Sequence, residues 1–257
     1  MSELLYGIHP VHEALAAGRR RFSKVYVSKS RRPKGIHALL ELARTHGVPV
    51  EYKGPGYFKS QLGDSVHQGV AAQASHLPLA TESAILARAE GDRELPLILA
   101  LDGLVDPQNL GSLVRTALGM GVHGTILTKA RSAPLSPAVS KASAGAMEHM
   151  LFARVPNLVA ALQRFKAAGL WIAGGHSGSE QPVFQVDFTV GLVLVIGGEG
   201  RGLRPLVRKN CDYVVSIPQK RMVDSLNAAV AGAIAMYEIV RQRRVKGLGE
   251  GRFNAES

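Results

Sequence analysis

Two loops near the end of the chain carry residue types that build ligand pockets. The first follows an apolar run beginning at Val193 and contains the glycine cluster 197–202. Such a run is typical of a buried strand, and the glycines let backbone amides and carbonyls approach a ligand closely. The second loop, 217–227, follows a short predicted strand and ends in Ser225-Leu226-Asn227. Ser or Asn there predicts the N-cap of the following alanine-rich helix. Because both loops follow strands that lie close together in sequence, we expect them to share one pocket.

The glycine cluster also has simpler or different interpretations. A glycine-rich loop after a strand is often only a turn, and Gly198-x-Gly200-x-Gly202 begins like a dinucleotide fingerprint. That fingerprint requires a different spacing for its third glycine and an acidic residue at a strand end about 20 residues further on. The chain meets neither requirement, and the cluster lies late in the sequence. A dinucleotide-dependent oxidoreductase is therefore the weaker enzyme hypothesis.

A third stretch, 106–116, reads DPQNLGSLVRT. In order and spacing, this stretch and the two loops resemble the three motifs of the SpoU-type (TrmH-like) RNA 2′-O-methyltransferases, which belong to the SPOUT superfamily. The opening YGIHPV at 6–11 is similar to the start of the RlmB-like members, which methylate 23S ribosomal RNA. The resemblance covers nearly the whole chain. It implies methyl transfer from S-adenosylmethionine to a ribose 2′-hydroxyl, with a guanosine of 23S rRNA as the expected target.

Two alternatives stay open beside that function. The RNA could be a tRNA or a different rRNA site, because these motifs do not identify the modified nucleotide. The protein could also be a non-catalytic RNA-binding or ribosome assembly protein. A complete set of motif residues argues against the second alternative.

The resemblance implies a donor pocket built mainly from backbone groups. The expected cofactor-binding residues are those of the second and third motifs, with Leu127 and Thr128 as weaker candidates for the pocket wall. The motif residues are Gly197, Gly198, Ile217, Pro218 and Leu226. At 219–222 the sequence QKRM stands where relatives commonly have a glycine, which puts the affinity for the donor in question.

The polar residues that the resemblance implies for catalysis are Asn109, Arg115, Glu199, Ser225 and Asn227. Methyl transfer to a hydroxyl requires a donor pocket, an aligned hydroxyl and a destination for its proton. Some accounts of the family make the motif arginine the general base, but a guanidinium titrates above about 12 and has no acceptor when charged. We expect Arg115 to bind the phosphate beside the target ribose and to stabilise the developing alkoxide. The RNA phosphate, or Arg115 in an unusual state, would assist deprotonation.

The other four polar residues have positioning roles in this interpretation. Glu199 would orient loop groups, and Ser225 and Asn227 would hold both backbone and RNA. Helix capping is the simpler role for Asn109 and Ser225, and the two roles are compatible.

The charge of the chain favours a polyanionic partner. Thirty-one Lys and Arg against 20 Asp and Glu give a net charge of +11. Within 1–34, eight basic and two acidic residues leave +6. We expect this segment to bind structured RNA through phosphate and shape contacts, although it could also be a solvated face. The arginines proposed to bind RNA are Arg19, Arg20, Arg21, Arg31 and Arg32.

Cysteine, histidine and hydropathy patterns limit other chemistry. Cys211 is the only cysteine, which excludes an intrachain disulfide and a multi-thiolate zinc site. The nine histidines show no close ligand spacing, so we predict no metal. No apolar run approaches the length of about 20 residues that crosses a membrane, and the first residues lack a signal-peptide pattern. We expect a cytoplasmic protein.

Hydrophobic periodicity predicts an α/β chain in two parts. We expect an RNA-binding domain at 1–77, a linker at 78–94, a methyltransferase domain at 95–246 and a flexible tail at 247–257. Strands are predicted at 24–27, 48–52, 69–73, 97–101, 124–127 and 170–173, besides those preceding the two loops. Helices are predicted at 11–17, 35–46, 55–62, 81–89, 110–119, 158–168 and 226–245, with Asn109 and Asn157 as N-caps of two of them.

The resemblance adds features of the fold that periodicity cannot give. It implies a parallel sheet flanked by helices, with the C-terminal segment passed through a loop as a trefoil knot, a departure from ordinary chain topology. It also implies a homodimer in which motif-one residues of one subunit lie near the pocket of the other.

Overall fold

A computed structural model describes residues 2–30, 35–200, 202–220 and 225–248. The strands are β1 (Ser2–Tyr6), β2 (Phe22–Ser28), β3 (Val50–Lys53), β4 (Val70–Ser75), β5 (Leu97–Asp102), β6 (Gly124–Thr128), β7 (Phe152–Val155), β8 (Trp171–Gly175), β9 (Leu192–Gly197) and β10 (Tyr213–Val215). The helices are α1 (Ile8–Ala17), α2 (Ile36–Thr45), α3 (Pro55–Leu62), α4 (Glu82–Asp92), α5 (Pro107–Gly119), α6 (Pro137–Ala142), α7 (Leu158–Ala167), α8 (Pro205–Lys209) and α9 (Ala228–Val245). The chain forms two compact units.

The first unit consists of the chain up to Pro78 together with Pro134–His149. Its sheet has the order β1-β4-β2-β3, in which β4 is antiparallel to β1 and β2, and β3 is parallel to β2. Apolar residues of α1 and α2 pack on one face of this sheet around Leu5, Val25 and Leu39, which are fully buried. The segment Pro134–His149 lies between β6 and β7 in sequence, yet it folds as part of this unit.

The second unit contains Leu79–Ala133 and the chain from Met150 onward. Its sheet has the order β10-β8-β9-β5-β6-β7, and every strand pair is parallel. Such strands are covered on both faces, which explains why β5 and β9 are buried along their whole length. Because β9 pairs with both β5 and β8, the loops after these three strands leave the sheet at the same carboxyl edge.

The structure corrects several predicted element boundaries. Asn109 does not cap α5: the carboxylate of Asp106 accepts hydrogen bonds from the amides of Gln108 and Asn109, and Pro107 is the first helical residue. A proline is well tolerated there because the amide it lacks would have no partner inside the helix. Asn157 does cap α7, as predicted, by accepting from the Ala160 amide. Four further helices and strands, β1, β7, α6 and α8, have no counterpart in the periodicity analysis.

The predicted linker 78–94 is largely helical. It contains α4, whose N-cap Thr81 accepts a hydrogen bond from the Ala84 amide. Ile85 on this helix is fully buried in the core of the second unit, and it packs so closely on β6 that a Cβ on Gly124 would lie 2.6 Å from it.

Candidate active site

A cavity of about 360 Å³ lies in the second unit, at the carboxyl edge of its sheet. Its walls come from the loops after β8, β9 and β10 and from the start of α9. The apolar part is formed by Val183, Ile196, Val215, Ile217, Leu226, Ala228, Ala231 and Ala235. The polar side chains are those of His176, Ser177, Glu199, Gln219, Ser225 and Asn227. The cavity therefore combines an apolar surface with a few convergent polar groups, as small-molecule sites generally do.

Two glycines of the second motif are required by close backbone packing. A Cβ on Gly197 would lie 2.2 Å from the carbonyl carbon of Gly202, and one on Gly198 would lie 2.2 Å from the carbonyl oxygen of Gly103. The Gly198 amide also donates to the carbonyl of Asp102 at 3.0 Å. These contacts hold the loop after β9 against the loop after β5.

Asp102, at the end of β5, fixes the far end of the same loop. Its side chain is fully buried, and it accepts hydrogen bonds from the Arg204 amide at 2.8 Å and from Arg204 Nε at 2.6 Å. A buried carboxylate needs such partners because losing its hydration is costly. The glycine loop is thereby fastened to β5 at both of its ends.

Residues of all three motifs meet in one hydrogen-bond chain. Asn227 Nδ2 donates to Asn109 Oδ1 at 2.9 Å, and Asn109 Nδ2 donates to Glu199 Oε1 at 2.5 Å. Asn227 is also the N-cap of α9, since its Oδ1 accepts from the amides of Ala229 and Val230. Ser225 lines the cavity and does not cap this helix.

Arg115 lies on the exposed side of α5 and does not line this cavity. Within the described residues its guanidinium makes no hydrogen bond or ion pair. The structure thus separates Arg115 from the other four predicted polar residues.

The predicted cofactor-binding residues divide into two groups. Gly197, Gly198, Ile217 and Leu226 line the cavity, and Pro218 is an exposed residue of the same loop. Leu127 and Thr128 lie elsewhere: both are buried at the end of β6, and β5 stands between β6 and β9 in the sheet. The Thr128 hydroxyl donates to the Ala130 carbonyl. Strand order, which the sequence does not give, excludes these two residues from the wall.

The loop after β8 contributes residues that the sequence interpretation missed. Gly175, His176 and Ser177 line the cavity, although the loop 174–179 reads as an ordinary glycine-rich and serine-rich turn. No motif marks these residues. Their position in the cavity follows only from the pairing of β8 with β9.

Gln219 is an unusual member of the cavity wall. Its Oε1 is buried and has no hydrogen-bond partner among the described residues. Since a buried acceptor without a partner is costly, this atom fits a ligand that brings an N–H or O–H group. Of the four residues 219–222 that differ from the common pattern of relatives, Arg221 and Met222 lie outside the described residues.

The arginines predicted to bind RNA differ in their surroundings. Arg20 is buried in the first unit: it donates to Glu148 at 2.6 and 3.1 Å and to the Ser75 carbonyl, and it also pairs with Glu3. It is a structural residue and is not available to RNA, contrary to expectation. Arg19 donates to the carbonyls of Glu148 and Pro78, whereas Arg21 is exposed. Arg31 and Arg32 lie outside the described residues.

Other candidate sites carry none of the motif residues. A cavity of about 500 Å³ lies at the amino ends of β5 and β6, beside Leu97 and His123. In the described part of the chain, no three His, Cys, Asp or Glu residues are grouped to hold a metal ion. No helix there is both long and apolar enough to cross a membrane.

Comparisons with known proteins match both parts of the chain. The model of the SpoU rRNA Methylase family matches residues 96–237, and a model described as RNA 2′-O ribose methyltransferase substrate binding matches residues 4–80. The 23S rRNA (guanosine-2′-O-)-methyltransferase RlmB of Pseudomonas putida is 37% identical, over 95% of this chain and 98% of its own length. The putative TrmH family tRNA/rRNA methyltransferase YacO of Bacillus subtilis is 36% identical, over 95% and 98%.

A solved structure extends the comparison to the fold. The SpoU methyltransferase AviRb from Streptomyces viridochromogenes, in complex with the cofactor AdoMet, superposes with a TM-score of 0.79 at 28% identity. The alignment covers 95% of this chain and 91% of that protein.

Proposed function

Because the chain belongs to the SpoU rRNA methylase family, we propose that it transfers a methyl group from S-adenosylmethionine to the ribose 2′-hydroxyl of a guanosine in 23S rRNA. One observation carries the proposal: Asn109, which belongs to the first motif, is hydrogen-bonded to Glu199 of the second and to Asn227 of the third beside the cavity. The high coverage of RlmB supports the 23S target. Similarity to YacO, a putative tRNA/rRNA methyltransferase, keeps tRNA as the alternative substrate.

The residues of the cavity fit S-adenosylmethionine. An adenosine group matches the apolar wall, the buried Oε1 of Gln219 needs a hydrogen-bond donor, and backbone groups around Gly198, Ile217 and Leu226 would hold the donor. When bound, S-adenosylmethionine supplies an electrophilic methyl group on a sulfonium. Glu199 would orient the glycine loop, with its carboxylate held by Asn109 and Asn109 held in turn by Asn227.

Arg115 is proposed to act in the active site of a second subunit. It is exposed, and it neither lines the cavity of its own chain nor pairs with a described residue. Its guanidinium would bind the phosphate beside the target ribose and stabilise the alkoxide that forms as the hydroxyl loses its proton. The RNA phosphate is the proposed acceptor of that proton.

A homodimer is proposed from the exposed apolar residues of α9. On α9, Val230, Ile234 and Tyr237 are 47%, 38% and 60% exposed, and their spacing places them on one face of the helix. An apolar stripe on an otherwise amphipathic helix fits a second copy of this chain. Since α5 packs beside α9 in the second unit, a dimer formed through α9 would bring Arg115 toward the other subunit.

We propose that RNA binding and methyl transfer belong to different units. The first, through exposed residues such as Arg21, would bind the RNA, and the second would carry out the transfer. We also propose the predicted domain limits 1–77, 78–94, 95–246 and 247–257, with the segment Pro134–His149 folding as part of the first unit. The trefoil knot implied by the family resemblance and action in the cytoplasm are proposed as well.

The test is transfer of radiolabelled methyl groups from S-adenosylmethionine to protein-free 23S rRNA and to bulk tRNA. Arg115→Ala should abolish labelling, while Gln108→Ala, an exposed change on the same helix, should not. Label in 23S rRNA at a guanosine ribose would support the proposal, and label confined to tRNA would redirect it. Absence of both transfer and donor binding by calorimetry would leave a non-catalytic RNA-binding protein.

A further inference from the structure

His176 and Arg208 form a hydrogen-bonded pair beside the donor cavity. His176 lies in the loop after β8 and lines the cavity, whereas Arg208 belongs to α8 and is exposed. Arg208 Nη1 lies 3.1 Å from His176 Nε2. The family motifs include neither residue.

This contact determines which nitrogen of His176 carries the proton. A guanidinium has only donors, so Arg208 must donate and His176 Nε2 must accept. The imidazole is then neutral, with its hydrogen on Nδ1. Among the described residues, Nδ1 has no hydrogen-bond partner of its own. Arg208 therefore leaves His176 with one unused N–H donor at the cavity.

The imidazole ring of His176 lies against two glycines. A Cβ on Gly178 would lie 3.2 Å from His176 Nε2, and one on Gly202 would lie 3.7 Å from Nδ1. The ring is thus placed between its own loop and the glycine loop after β9. The free Nδ1–H is on the side of the second motif.

The charges at the cavity indicate what this donor would bind. Of the described residues that line it, Glu199 has the only carboxylate and is already bonded to Asn109. Among the described side chains of the wall, that of His176 is the one hydrogen-bonded to a cation, Arg208. S-adenosylmethionine has one anionic group, its α-carboxylate, whereas its adenosine is uncharged.

We propose that the His176–Arg208 pair recognises the carboxylate of the methyl donor. His176 Nδ1 donates a hydrogen bond to the carboxylate, and Arg208 sets the tautomer of His176 and supplies positive charge behind it. His176 is a specificity-determining residue for the amino-acid part of the donor, and Arg208 is a positioning residue. The inference rests on the proposed function, since it takes S-adenosylmethionine as the ligand.

The test compares two donors by calorimetry on the full chain: S-adenosylmethionine and its decarboxylated analogue. His176→Ala should weaken binding of S-adenosylmethionine by about tenfold or more, because a hydrogen bond to a charged group is lost. The same variant should bind the decarboxylated analogue within about twofold of the wild type. Equal losses for both ligands would overturn the proposal, because His176 would then contact the adenosine or support the loop.

Arg208→Ala provides a second test that leaves the cavity wall intact. It should reduce the preference for the carboxylated donor less than His176→Ala does. The ¹⁵N chemical shifts of His176 should also lose the signature of the Nδ1–H tautomer. Lys209→Ala, an exposed change on the same short helix, is the matched control and should alter neither. An unchanged tautomer together with an unchanged donor preference in Arg208→Ala would overturn the role of Arg208.

Wild-type binding separates this inference from the function on which it rests. If the wild-type protein binds neither donor, the proposed function fails, and the inference fails with it. If the wild type binds S-adenosylmethionine and His176→Ala binds it equally well, only the inference fails.

Discussion

Asn227 and Asn109, which are 118 residues apart in sequence, are joined by a hydrogen bond of 2.9 Å whose direction the structure determines. Asn227 Oδ1 must accept because it caps the amides of α9, so its Nδ2 donates to Asn109 Oδ1. Asn109 then presents its Nδ2 to the carboxylate of Glu199. A helix cap in motif three thus orients an acidic side chain in motif two through an amide of motif one.

This polarity predicts the effect of Asn227→Asp. The aspartate carboxylate would still cap α9, but it would place an acceptor opposite Asn109 Oδ1, where Asn227 Nδ2 now donates. If the Asn109 amide flipped to donate to that carboxylate, its oxygen would face the carboxylate of Glu199. We expect kcat to fall by about tenfold or more, the equivalent of one lost hydrogen bond to a charged group. The thermal midpoint should change little. Steady-state methyl transfer and calorimetric scanning measure the two quantities, and full activity in the variant would contradict the proposed role of the chain.

Gly198→Ala should disrupt the donor cavity. Its Cβ would meet the carbonyl oxygen of Gly103 at 2.2 Å, and a backbone atom cannot move aside as the end of a flexible side chain can. We expect loss of donor binding in calorimetry and a lower thermal midpoint. Gly119→Ala is the control, because that Cβ meets nothing within 4 Å and alanine favours a helix. Normal donor affinity in Gly198→Ala would show that the loop is not held as described.

Glu148→Gln should strongly destabilise the first unit. The carboxylate has no exposed area and receives hydrogen bonds from Arg20 and from Ser140. Removing one partner of a buried ion pair costs about 3–5 kcal/mol. The matched control is Glu41→Gln, because Glu41 pairs with Arg44 at the surface and such pairs contribute about 0–1 kcal/mol.

Urea denaturation followed by far-UV circular dichroism would measure both variants. A similar loss of unfolding free energy in the two would contradict the structural role of Arg20 and reopen its assignment to RNA binding.

The partly buried thiol of Cys211 predicts a pH dependence of stability. Burial raises the pKa of Cys211 to about 11, above the value of about 8.5 expected in the unfolded chain. Between these two values the unfolded state binds fewer protons than the folded state, so this group lowers stability as the pH rises through that window and has no effect below it. At pH 8 the native protein should react slowly with a disulfide reagent and the urea-unfolded protein quickly. Rapid reaction of the native thiol would contradict this.

Several residues that line the cavity could be recognised from the sequence, for physical reasons. Motif residues such as Gly198 and Asn227 are identified by type and spacing, because tight turns and helix caps restrict which residues can occupy them. Leu127 does not line the cavity and His176 does, and neither placement can be judged from the sequence because it depends on strand order, which is a non-local property. The sheet places β8 beside β9 and separates β6 from it.

Charge composition likewise describes the basic segment as a whole and not the surroundings of each arginine. The excess of basic residues at the start of the chain could not show that Arg20 is paired with Glu148, since that partner lies 128 residues away in sequence. Burial of a charged group is decided by such distant partners and cannot be judged from the local sequence.

The proposed placement of Arg115 near the cavity of a second subunit leads to a complementation prediction. The Arg115→Ala variant should keep an open donor cavity but lack the arginine. In the Ala231→Phe variant, the phenylalanine should fill the cavity that Ala231 lines, and Arg115 is retained. Each variant alone should be inactive. Mixed after dissociation, the two should regain part of the activity, because one heterodimer site then combines an open cavity with a partner's Arg115.

Ile234→Arg provides the control for assembly, since Ile234 lies in the middle of the exposed stripe on α9. A charge there should shift the protein toward a monomer in analytical ultracentrifugation and remove activity, because each site would lose its arginine. Leu206→Arg, at a residue 68% exposed on α8, should leave the sedimentation unchanged. If the mixed variants stay inactive while Ile234→Arg still sediments like the wild type, Arg115 does not act across an interface formed by α9.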